Sequence, residues 1–62
     1  MAAETVIALR REAGWDQADL AAHSGLDIGL IAGVESGHSE LPSSALARIA
    51  RAFGVAVGDL RP

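Results

Sequence analysis

The sequence predicts an all-α fold, a compact set of five short helices, and three observations carry that expectation. Glycine and proline cut the chain into short pieces, and apolar residues within the pieces recur every three or four positions. The composition is half apolar, rich in alanine and poor in aromatics, with Trp15 and Phe53 the only large rings. There is no cysteine, which excludes disulfides, zinc–thiolate sites and thiol redox chemistry. Regular helix packing is what remains to stabilise 62 residues. That length allows one domain, residues 1–62, with one small core; a two-domain enzyme or receptor is excluded.

The elements follow in order. From Thr5 to Ala13, Val6, Leu9 and Ala13 fall on one face of a first helix, and Gly14 ends it. Asp16 caps a second, with Asp19 three residues on as a capping-box partner; Leu20 and Ala21 face inward and Gly25 stops it. Asp27 opens a third helix running to about Ser36, with Gly37 as its stop. By propensity alone the run Ile28 to Val34, with two glycines and β-branched residues, also fits a buried strand. The flanking caps and the lack of a partner strand favour the helix. Pro42, Ser43 and Ser44 begin a fourth helix with Leu46, Ile49, Ala50 and Phe53 inward, Arg48 and Arg51 outward, and Gly54 at its end. Val55, Val57 and Leu60 suggest one last helical turn before Pro62.

Five arginines (Arg10, Arg11, Arg48, Arg51 and Arg61) stand against eight acids, for a net charge of -3. That balance is unfavourable for nucleic acid, which calls for a basic face. The longest apolar stretch, Ile28 to Val34, is too short to span a membrane, and no secretion signal opens the chain. The expected setting is the cytoplasm, with no membrane association.

The stretch from Gln17 to Ser36 carries the functional inference. Ala21 is small where two helices cross closely, and Gly25 can take the left-handed backbone of a sharp turn. Leu20, Leu26, Ile31 and Val34 are apolar where the second helix must seat on the first. These are the mechanical requirements of a helix-turn-helix. On these residues the chain resembles the phage-repressor and Cro-type helix-turn-helix domains, the xenobiotic-response-element family. The matching residues are Leu9-Arg10, Gly14 to Ala21, Gly25-Leu26-Asp27, Ile31, Val34 to Gly37, Leu46 to Val55 and Val57 to Leu60, nearly the whole chain. The resemblance implies a five-helix, repressor-like DNA-binding transcription regulator whose third helix enters the major groove, usually as a homodimer on a palindrome.

Position by position, the resemblance implies an ion pair between Arg10 and Glu35 that ties the first helix to the third. It places Trp15 in a core slot where the family has leucine. It puts Gln17 on a DNA phosphate, with Ser36 and His38 as further phosphate contacts, and sets Asp27, Ile28, Gly29, Ala32 and Gly33 near the bases. Direct readout uses Arg, Lys, Asn or Gln, and the third helix has none of them. Asp16 and Asp19 would repel the phosphate offered to Gln17, and the loop His38-Ser39-Glu40-Leu41 lacks the family's usual lysine or arginine. DNA binding is therefore expected to be weak. The alternative is a helix-turn-helix scaffold that has lost DNA readout and docks a protein partner through Ile28, Gly29, Leu30 and Gly33 of the third helix.

Catalysis is not expected. Ser36, His38, Ser39 and Glu40 are neighbours in one loop, which rarely converge in triad geometry, and so small a domain has little room for a substrate pocket. His23 and His38 share no metal-ligand spacing with carboxylates and read as surface residues, so neither a metal nor a cofactor is expected.

Overall fold

The computed structural model describes residues 2–60. Four α-helices, α1 (Ala2–Glu12), α2 (Gln17–Ser24), α3 (Ile28–Glu35) and α4 (Ser43–Phe53), precede a 3-10 turn, Val57–Leu60. No strand occurs among the described residues, so the apolar run Ile28 to Val34 is a helix. The glycines at 14, 25, 37 and 54, each just past a helix end, all have positive φ.

Helix α1 starts at Ala2, earlier than the Thr5 expected from the apolar spacing. Its far end also corrects the expectation, because Ala13 is exposed. The chain is already turning there. Trp15 N–H donates to Arg10 O at 2.9 Å and Gly14 N–H to Arg11 O at 3.0 Å, the paired bonds of a Schellman stop. Helix α2 opens with a complete capping box: Asp16 accepts from the Asp19 amide at 2.8 Å, and Asp19 accepts from the Asp16 amide at 2.9 Å.

Val6, Leu20, Ile31, Leu46, Ile49, Ala50 and Leu60 form one core, to which every helical element contributes. Helix α2 packs on both α3 and α4, while α1 reaches α3, α4 and the final turn. The last helical turn is 3-10 rather than α, and it plugs the core with Leu60, which is fully buried. Arg61 and Pro62 lie outside the described residues.

The aromatic residues sit at the rim of this core. Trp15 is half-buried, with Phe53 stacked on it at 5.4 Å between ring centroids. Phe53 is half-buried too, because it closes α4 at this rim rather than inside the molecule. His23 is exposed, as its position suggested, yet its ring lies flat on Trp15 at 4.1 Å with 7° between planes.

Candidate functional site

Helices α2 and α3 are joined by three residues, Gly25, Leu26 and Asp27. Gly25 adopts φ 72°, and its N–H donates to Ala21 O at 2.9 Å, closing α2. Leu26 packs half-buried against the core. Its amide donates to Ser24 Oγ at 3.3 Å, while the Ser24 hydroxyl donates to Leu20 O at 2.7 Å. Ser24 is the one buried polar residue among the described residues, at 6% exposure, and the sequence reading passed over it. A serine directly before the stop glycine was the available signal. Asp27 then takes extended backbone and accepts from the Gly29 amide at 2.8 Å, starting α3.

Helix α3 is not sunk in the molecule. Ile31 and Val34 face the core, whereas Asp27, Ile28, Gly29 and Ser36 are exposed and Ala32 is half-buried. Ile28 is 46% exposed, the one large apolar side chain in that class among the described residues. Leu30 is half-buried. Gly33 is half-buried under the following loop: a Cβ there would meet Ser39 Oγ at 2.9 Å. The two glycines therefore do not form one open stripe.

The far end of α3 is tied down by a polar brace. Arg10 Nε donates to Glu35 Oε2 at 2.7 Å and Arg10 Nη2 to Glu35 Oε1 at 2.8 Å, a two-pronged ion pair. Arg10 Nη1 donates to Trp15 O at 2.9 Å, and Gln17 Nε2 donates to Glu35 Oε1 at 3.1 Å. One carboxylate thus joins α1, the turn before α2, the start of α2 and the end of α3. Its side chain is only 6% exposed. Burial pushes the Glu35 carboxyl up, but the hydrogen bonds from Arg10 and Gln17 outweigh it and leave it below its ordinary value. The bond to Glu35 likewise holds the Arg10 guanidinium above its usual range.

The remaining polar positions cluster where α3 leads into α4. Ser36 Oγ donates to Gly33 O at 3.0 Å, and the same carbonyl accepts from the His38 and Ser39 amides at 2.9 and 3.1 Å. With its hydrogen so engaged, Ser36 Oγ accepts from His38 Nδ1 at 2.8 Å, which leaves His38 Nε2 on the outer edge of an exposed ring. Gln17, Ser36 and His38 are therefore each anchored internally. Among the described residues no group of three or more His, Asp or Glu is placed to hold a metal ion, and no helix is long and apolar enough to cross a membrane.

A helix-turn-helix family model matches residues 6–60 of the chain. Domains of this type are non-catalytic DNA-binding modules. None of the curated proteins and none of the solved structures compared with the chain matches it.

Proposed function

The chain belongs to the helix-turn-helix family of the phage Cro/repressor type, and on that premise we propose that it is a DNA-binding transcription regulator. The carrying observation is the presentation of α3: a three-residue turn at one end and the Arg10–Glu35 pair at the other hold its outer face toward solvent. In this reading α3 lies in the major groove. Ile28 and Ala32 meet thymine methyl groups, and Asp27, with Oδ2 on the Gly29 amide, offers Oδ1 to a cytosine amino group. Gly29 and Gly33 let the backbone come close to the bases.

The phosphate contacts are few. Gln17 Nε2 has a second hydrogen beyond the one given to Glu35. Ser36 reaches a phosphate by exchanging the Gly33 carbonyl for it, and His38 by turning the outer edge of its exposed ring toward one. Arg10 is neutralised by Glu35, and the net charge is -3, so binding by one copy is weak and two copies acting together on a palindrome bind more tightly. The competing reading, protein docking through α3, has less to work with. With Leu30 half-buried and Gly33 under Ser39, the apolar surface comes down to Ile28, and single exposed apolar side chains are ordinary.

Fluorescence anisotropy on labelled duplexes tests the proposal. Random DNA should bind at ~50 mM salt and lose about 3.5-fold in affinity by ~200 mM for each phosphate that a copy neutralises. Palindromes with half-sites about 34 Å apart should bind more tightly than single half-sites. Absence of binding at the lower salt would overturn the proposal in favour of docking.

A further inference from the structure

We propose that the cleft between the C-terminal end of α2 and the outer face of α4 binds the phosphate group of a small ligand. A cavity of about 400 Å³ lies there, lined by His23, Ser24, Ala47, Arg48 and Arg51. Its size falls within the ~300–1,000 Å³ of small-molecule sites. Arg48 and Arg51 are three residues apart on one helical face, and α4 carries no acid. The one ion pair among the described residues is Arg10–Glu35, so neither cleft arginine has a carboxylate partner there. In a chain of net charge -3, this is a concentrated cationic surface set in a concavity.

The two arginines divide the work. A Cβ on Gly25 would lie 3.2 Å from Arg48 Nη1, so that guanidinium sits over the end of α2 and offsets the helix's negative pole. Arg51 then presents its fork to an oxyanion, a geometry that matches phosphate with two parallel hydrogen bonds. His23 flanks it. The Ser24 hydroxyl is committed to Leu20 O and contributes shape only. The cleft lies at the opposite end of α2 from Gln17, and its occupant bridges α2 to α4.

The molecule carries a reporter for this site. Trp15 is the sole tryptophan, and the His23 ring that lines the cleft is stacked on it. Titration with inorganic phosphate and with AMP, at ionic strength held constant by chloride, should change Trp15 fluorescence saturably, while adenosine should not. Arg51→Gln should weaken the phosphate response at least about tenfold with the helical circular dichroism signal intact. Arg11→Gln, on α1, should leave it unchanged. Tighter binding of AMP than of phosphate assigns a nucleotide-sized ligand, and equal binding assigns free phosphate. A response that follows ionic strength alone, or that Arg51→Gln and Arg11→Gln alter equally, would overturn the site.

Discussion

Helices α3 and α4 enter the same core by different means. In α4, Ala45, Leu46, Ile49 and Ala50 are buried while Ser44, Ala47, Arg48 and Arg51 are exposed, so the helix's own pattern dictates which face turns inward. It needs little help at its start, where Pro42 makes no side-chain cap bond. Helix α3, Ile-Gly-Leu-Ile-Ala-Gly-Val-Glu, is apolar on nearly every side and contains two glycines, each about 1 kcal/mol worse than alanine in a helix. Nothing in its periodicity says which face belongs inside. Its orientation comes from polar anchors at its ends: the Asp27 cap, the Glu35 brace and the loop amides gathered on Gly33 O. A helix held by its ends leaves its outer face free to meet a partner.

The brace offers the largest test of this contrast. Glu35→Ala strands the mostly buried Arg10 guanidinium without a counter-charge and should cost about 3 kcal/mol in urea denaturation. A chain of this length has only roughly 3–9 kcal/mol in total, at ~0.05–0.15 per residue. Arg51→Ala on α4 should change stability by no more than about 0.5 kcal/mol. Equal losses would mean that α3 is not held by its end. The same pair sets a pH dependence. The Glu35 carboxyl lies below its ordinary value near 4.5 in the folded chain, so the unfolded chain takes up the proton first as pH falls. The contribution is complete above that ordinary value and is lost as pH drops through the folded one. Stability of the wild type should therefore fall more steeply below about pH 5 than that of Glu35→Gln.

The cap at the other end of α3 should matter less, but in the same direction. Asp27→Ala removes the acceptor of the Gly29 amide and should cost about 1 kcal/mol. Ser43→Ala, at the start of α4, removes no cap bond and should stay within about 0.5 kcal/mol. A thermal melt in which the two variants shift alike would erase the distinction between the helices.

The same contrast explains what was legible in the sequence. Punctuation located α2, α3 and α4 closely, because Asp16, Asp27 and the glycines after each helix act locally and perform in the fold the task their chemistry suggests. The burial of α4 followed from its apolar spacing. Where α1 begins was not readable, since no capping residue marks it, and Ala13 counts as apolar whether or not the helix continues that far. The Arg10–Glu35 pair, 25 residues apart, emerged only through resemblance to a family; no local pattern encodes it. The engagement of Gln17 with Glu35, the stacking of His23 on Trp15 and the covering of Gly33 by Ser39 are tertiary contacts between exposed-looking residues, to which periodicity is blind.

Gly29 poses the smallest and sharpest test, because two opposing terms meet there. Its backbone is helical, so alanine should add close to 1 kcal/mol of helix propensity. The new Cβ, however, would lie 2.7 Å from Asp27 Oδ2, and the carboxylate must swing away from the amide it caps. Losing the cap costs about as much as the propensity supplies, so Gly29→Ala alone should leave the urea midpoint nearly unchanged. In an Asp27→Ala background the clash and the cap are both gone, and Gly29→Ala should then stabilise by close to 1 kcal/mol. The coupling between the two sites, about 1 kcal/mol in a double-mutant cycle, measures how far the α3 start depends on its anchor rather than on its own sequence. Additive effects would mean that Asp27 sits at the helix start without holding it.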